Sequence, residues 1–441
     1  MNTSLTGDIV AEFGAAALTP ETVHRAKLGV LDWMGLAVAG AAAPAPRTLR
    51  SVMAGSGPAD GVFVLGTPDV LSAPWAAYVN AVQAHVDDYD DTHAGGLIHV
   101  TTPVLSGCMA VAETRRSRGI DLIAAYVAGV EVAVDLGVRV GQRLADRGFH
   151  VTGMLGAFGS AAGVSNLIRL TGSQTTTALG IAATGTGGLE SAFGSMTKSL
   201  QVGRESMNGV VAALLAEEGF TGPADGISGA NGWIATYLPE LDIPPDGERH
   251  LQSFNGLNET RIKPYPSCMG THAPIDAARK LSGSVQGQQI SEVVCVVGPL
   301  AAKVANIDHP GDGLQAKFSL RYCLATALLN GTVLSQDFGD AEVLQIMSLD
   351  IASRIRIEID PDRTISAAEV TVHLAAGEAV VASVDNDVEH VQMSEATCVD
   401  KFRSLTARHL GRDAADEIAA RVLDLEHCTD VREITKLAAT T

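Results

Sequence analysis

Ile290-Ser291-Glu292-Val293-Val294-Cys295-Val296-Val297 alternates as a half-buried strand should, and so does Ser353–Ile359 (SRIRIEI). Everything before Arg261 has a different texture. Thr19 caps a helix that Pro20 and Glu21 favour at its first turn, and Val23, Ala26, Val30, Leu31 and Met34 recur at helical spacing through about Val38. The same period returns in Trp75–Gln83, Ile120–Val138, Gly153–Ile168 and Asn208–Glu218. Downstream, Val370–Leu374 and Ala379–Val384 flank a turn at Gly377 and read as a hairpin, with Phe318–Leu329 and Ala341–Met347 as helices lying on the sheet. From Ser394 the helical pattern resumes in Cys398–Leu405, Ala414–Leu425 and Val431–Leu437. The expectation is a mainly α protein: a large all-helical domain built from both chain ends (1–260 and 393–441) with a smaller α+β lid inserted at 261–392. No internal repeat, low-complexity linker or heptad run interrupts this plan.

Composition narrows what such a fold would do. Hydrophobic residues make up 46% of the 441, which supplies a real core, while 18% charged and 4% aromatic residues with 46 glycines point to close helix contacts through small side chains. A net charge of −19 argues against nucleic acid or an anionic membrane as partner, since both require a cationic face. No apolar run is long enough to span a bilayer and Met1–Gly14 lacks a secretory pattern, so a cytoplasmic protein is expected. The six cysteines stand singly, without the paired spacing of a zinc knuckle, a cluster site or a disulfide framework.

Four segments concentrate reactive side chains. His85-Val86-Asp87-Asp88-Tyr89-Asp90-Asp91-Thr92-His93, followed by Gly95-Gly96 and His99, ends an apolar helix. If that helix runs through Thr92, Asp88 and Thr92 share a face, and the glycines bring His99 back toward them. Carboxylates are disfavoured at a helix C-terminus, so their density there calls for a function. A divalent metal is the competing reading, but no His-Glu-x-x-His or EF-hand spacing is present, and a carboxylate–histidine cluster serves proton transfer as well. The second segment, Gly148–Gly153, sets His150 before a small-residue helix that Thr152 could cap. In the third, Met196–Arg204, Lys198 and Arg204 are cations suited to a carboxylate within apolar surroundings. Lys263-Pro264-Tyr265-Pro266-Ser267-Cys268-Met269-Gly270-Thr271-His272, the fourth, lies at the junction of the two textures, where clefts form. Each segment also has a plain structural reading: a solvated helix end, a lone structural histidine, surface cations, a rigid proline linker.

Taken together these segments resemble the MmgE/PrpD family, from Leu31-Asp32-Trp33-Met34-Gly35 to Lys401-Phe402. The Asp88–His93 run with His99 after it, Gly148-Phe149-His150, Lys198-x-Leu200-x-x-Gly203, Lys263–Cys268 and Lys317-Phe318-Ser319-Leu320-x-Tyr322 stand in the family's order. The resemblance implies a homodimer and a cofactor-free, metal-independent site between helical domain and lid. By motif, Asp88, His99, His150 and Tyr322 are its implied catalytic residues, and Thr92, Lys198, Lys263 and His272 its substrate-binding ones. It implies a lyase that transfers a proton next to a carboxylate of a small di- or tricarboxylate. Dehydration of the 2-methylcitrate type is the first choice, with cis-aconitate-type decarboxylation or epimerisation of an amino-dicarboxylate as variants. Three departures bear on the substrate. His99-Val100-Thr101 replaces His-Pro-Ser, Gln201 stands for a histidine and Met269 for an arginine. They imply fewer or differently placed carboxylates than 2-methylcitrate carries. Outside the family, the alternatives are a metal-dependent hydrolase and a scaffold that kept the fold without the chemistry.

Overall fold

The structure is a computed structural model, and it describes residues 2–53, 55, 60–241, 255–385 and 392–439. Helix Pro20–Gly40 starts as its sequence dictates, with Thr19 Oγ1 accepting from Thr22 N–H at 3.1 Å and Pro20 at the first position. Ala73–His85, Thr101–Arg115 and Gly119–Asp146 pack on it, and Val151–Leu167 and Thr197–Glu217 pack on those helices and on each other. In Val151–Leu167 every residue except Asn166 is buried. Glycine makes that burial possible: a Cβ on Gly159 would meet the Gly129 carbonyl oxygen at 2.9 Å and Val104 Cγ2 at 2.7 Å, so the backbones touch where a side chain would part them. A short antiparallel pair, β1 (Val62–Phe63) and β2 (Val70–Leu71), edges this domain.

The inserted lid is built on β3 (Ile290–Val297), β4 (Ile355–Ile359), β5 (Ala367–Leu374) and β6 (Ala379–Asp385), in the order β4-β3-β5-β6. β3 runs parallel to β4 and antiparallel to β5, and β5–β6 is a hairpin closed at Gly377, whose φ of +94° suits only glycine. Val293, Cys295 and Val297 point to the covered face, against helices His272–Val285 and Leu320–Asn330. One hydrophobic core runs from Val10 to Leu257 and resumes at Cys398, while a second, from Tyr265 to Val384, belongs to the lid. The chain is therefore mainly α with an inserted α+β lid. Glu395–Leu410 returns to pack on Pro20–Gly40, Phe402 lying against Gly35.

Two helices differ in extent from the periodicity. The helix expected from Asn208 begins at Thr197, so the Lys198 segment is its first turn; Gly203 and Arg204 mask the apolar period there, and Gly203 is needed because Tyr78 and Val82 lie where its Cβ would be. The other ends at His85 and does not reach Thr92. Asp88 has φ of +52°, a left-handed turn that no helix continues through. Among the described residues no single helix is long and apolar enough to cross a membrane.

Candidate active site

The turn after His85 is what builds the site. Asp88 N–H bonds back to His85 carbonyl oxygen at 3.0 Å, and the left-handed backbone throws the Asp88 carboxylate inward rather than along a helix face. It meets two ammonium groups there. Lys198 Nζ lies 2.5 Å from Oδ1 and Lys263 Nζ 2.9 Å from Oδ2, with Lys263 also donating to the Asp88 and Ser267 carbonyl oxygens at 2.7 and 3.0 Å. All of these side chains are buried. Burial alone would push the Asp88 carboxyl up, but Lys198 and Lys263 outweigh it and hold the group well below the usual carboxylate range.

Lys198 also fixes a histidine. An ammonium has no lone pair, so His85 Nε2, 2.7 Å from Lys198 Nζ, accepts, and His85 Nδ1 carries the proton that faces Asp90 at 2.8 Å. Burial lowers His85 further than Asp90 raises it, so the ring is neutral. Asp90 also accepts from Thr102 Oγ1 at 2.6 Å, and against its burial the His85 and His99 rings hold it ionised. His99 lies between the two carboxylates, Nε2 3.6 Å from Asp88 and Nδ1 3.2 Å from Asp90, and burial brings it down to about 4. Its backbone N–H donates to Thr152 Oγ1 at 3.0 Å. Thr152 is thus a partner of the loop and not the cap of the following helix, whose N-cap residue is His150.

His150 completes the wall. Gln201 turns its Nε2 toward the Leu189 carbonyl oxygen at 3.4 Å, leaving Oε1 to accept from His150 Nδ1 at 2.8 Å. His150 Nε2 then keeps a lone pair, buried and without a partner. Burial first, then Lys198 and His85, depress His150 well below the ordinary imidazole value. Asp88, Thr92, His99, His150 and Lys198 line one cavity of about 80 Å³, and across it the lid contributes Met269, Leu300, Val304, Phe318 and Ile365.

Not every expected residue reaches this cavity. Lys263 sits behind Asp88, and His272, whose Nε2 lies 3.1 Å from the Ser267 carbonyl oxygen, lines a neighbouring groove of about 720 Å³ that shares Thr92 and Met269. Tyr322 is not brought to the site. Ser319 caps helix Leu320–Asn330 and sets Tyr322 on its inner face, fully buried beside Phe338, where its hydroxyl donates to the Asp337 carbonyl oxygen. Conversely, sequence reasoning assigned no catalytic or binding role to His85 or Asp90, and Gln201 entered only as a departure that bears on the substrate. His85 and Asp90 both stand in the acidic run, but their pairing depends on a turn that spacing does not reveal.

Within this site, His85, Asp90 and His99 have ligand atoms within 4.8 Å of one another, close enough together to be weighed as a cation site. His85 already accepts from Lys198 and donates to Asp90, so an ion there would have to expel a proton beside an ammonium. The donor set suits proton transfer better.

Residues 6–245 match the MmgE/PrpD N-terminal domain and residues 265–426 the MmgE/PrpD C-terminal domain. The chain belongs to the MmgE/PrpD family. Its MmgE/PrpD relatives include cis-aconitate decarboxylases from Homo sapiens, 24% identical over 95% of this chain and 91% of the relative, and from Mus musculus, 25% identical over 95% and 90%. A third, from Aspergillus terreus, is 26% identical over 95% and 91%. Lys263 falls in the short stretch between the two matched MmgE/PrpD domains, at the point where the helical core hands over to the lid.

Proposed function

We propose that this protein is a lyase that moves a proton at the carbon next to a carboxylate of a small organic acid, without a cofactor, and that loss of CO2 is its reaction. The observation that carries this is the division of the cavity: a hydrogen-bonded wall of Asp88, His99, His150 and Lys198 faces an apolar wall from the lid. Lys198 holds one carboxylate of the substrate. A second, stripped of its hydration within the cavity beside the first, leaves as neutral CO2, while the electron pair of the broken C–C bond stays on carbon and spreads toward the carboxylate at Lys198. Burial and, after it, Lys198 keep His150 neutral; an anion bound between His150 and Lys198 offsets the Lys198 repulsion and favours the imidazolium, so His150 Nε2 takes a proton from solvent and delivers it to that carbon. Dehydration would need a further acid opposite the base. Tyr322, the residue offered for that part by the sequence, lies in the lid core. The names of the relatives favour decarboxylation as well.

The test is turnover of small di- and tricarboxylates, cis-aconitate among them, in deuterated water, following CO2 and product. The expected result is one CO2 per product with one solvent deuterium at the carbon that lost it. Water loss without CO2 would make the enzyme a hydro-lyase, and turnover without any solvent label at carbon would remove proton transfer from the mechanism.

A further inference from the structure

The cavity described above also says how many charges a substrate brings. Lys198 is the one Lys or Arg side chain on its wall among the described residues. Two of its three N–H directions are already taken, by Asp88 Oδ1 at 2.5 Å and His85 Nε2 at 2.7 Å, while the Phe193 and Phe318 rings lie 5.5 Å from the ammonium. Lys263, the other cation of the cluster, makes three bonds, two to Asp88 and one to the Ser267 carbonyl oxygen, and has no donor left. On the lid side Lys303 is paired with Glu190 at 3.0 Å and bonds the Ala145 carbonyl oxygen, Lys317 is paired with Asp87 at 3.4 Å and bonds the Pro266 carbonyl oxygen at 3.2 Å, and Glu190 itself is on the cavity wall. An anion approaching that side meets a carboxyl and apolar carbon.

We infer that the substrate is a dicarboxylate with an uncharged, apolar arm, and not a tricarboxylate: its carboxylates bind on the helical-domain wall near Lys198, and the arm lies against Met269, Leu300, Val304, Phe318 and Ile365. This rests on the same cavity as the proposed reaction and specifies what enters it. A third carboxylate set against the lid wall would be desolvated with no cation to receive it, which is among the costliest arrangements a protein can make. An alkyl arm of the same size gains from burial instead. Met269 is the residue of that wall carried by the crossing segment next to Lys263, and its thioether sulfur accepts from Thr92 Oγ1 at 3.5 Å, so a longer cationic side chain at this position would reach the same space.

The experiment compares two probes of one carbon skeleton by calorimetric titration of the full chain: propane-1,2,3-tricarboxylate, and 2-isobutylsuccinate, in which an isopropyl group replaces the third carboxylate. The expected result is at least about tenfold tighter binding of 2-isobutylsuccinate, and reversal of that order in Met269→Arg, with circular dichroism checking that the variant is folded. Equal or tighter binding of the tricarboxylate by the unaltered protein, or binding of neither probe, overturns the inference. A folded Met269→Arg protein that gains nothing for the tricarboxylate overturns the assignment of the lid wall. Because these are binding measurements, a protein that shows the expected order yet releases no CO2 from any acid keeps this inference and loses the proposed reaction.

Discussion

At the level of single residues, the site depends on which nitrogen of each imidazole carries a proton. Gln201 settles that for His150, because its Oε1 fixes the proton on Nδ1 and an amide neither gives nor takes one. The Gln201→Glu variant sets a carboxylate against that N–H and favours the imidazolium. His99 is lowered to about 4 and His150 is lowered too. A proton donor is lost as pH rises through its pKa, so in the unaltered protein kcat/KM should already fall with rising pH below the ordinary imidazole value of about 6.5. In Gln201→Glu the fall should begin at higher pH. A pH–rate profile checks both; a fall beginning only at or above the ordinary value in the unaltered protein would mean that His150 is not the donor. Tyr322 gives the opposite expectation. Its hydroxyl contributes one bond inside the lid, so Tyr322→Phe should cost about 1 kcal/mol of stability in a urea titration and leave kcat within about twofold. A loss of turnover of about 10²-fold or more would return Tyr322 to the chemistry.

The elements that hold these residues are joined at one buried lysine. Lys401, on the returning helix Glu395–Leu410, lies 2.8 Å from Asp32 Oδ1 and donates to the carbonyl oxygens of Tyr89 and Lys263 at 3.0 Å each, over the Tyr89 ring at 3.6 Å. It thus ties helix Pro20–Gly40, the turn that presents Asp88, and the crossing that presents Lys263. Burial raises the Asp32 carboxyl despite Lys401, so the pair is held in an apolar place. Lys401→Met leaves that carboxyl and two carbonyls without their donor, and should lower unfolding free energy by about 3–5 kcal/mol. Adding Asp32→Asn should recover part of the loss, measured by denaturant titration as a double-mutant cycle. Independent, additive losses would show that the two groups do not act as a pair.

For the molecule as a whole, the lid closes the cavity through Lys303, which reaches from helix Pro299–Val304 to Glu190 and Ala145 at its rim. The cavity lies between the helical domain and the lid, so how far these two walls part sets how readily substrate enters. Lys303 is partly exposed, and its ion pair is worth little to global stability. Lys303→Ala should therefore leave the thermal midpoint within a few degrees while speeding hydrogen exchange in the 299–304 segment and raising KM by about three- to tenfold. Unchanged exchange there would mean that the lid is held by its apolar contacts alone.

Periodicity and capping chemistry were enough to determine the mainly helical body, the alternating strands of the lid and the return of the C-terminal helices, because each is set by contacts a few residues apart. β3 is seen over the very residues Ile290–Val297 that alternate, and Thr19 caps where its type requires. The reactive segments were legible by residue type: Asp88, His99, His150 and Lys198 meet around one cavity although they come from separate parts of the chain. Tertiary structure alone decided the rest. The helix end at His85 reverses at a left-handed Asp88, which an acidic sequence does not announce, and that turn creates the pairing of His85 with Asp90 and of Asp88 with two lysines. Tyr322 faces the lid core because Ser319 caps its helix at that register, a rotation no motif records. The division of the cavity into a charged and an apolar wall likewise exists only once the lid is folded over the helices, since the two walls come from segments far apart in the chain and long-range packing, not local preference, sets them face to face.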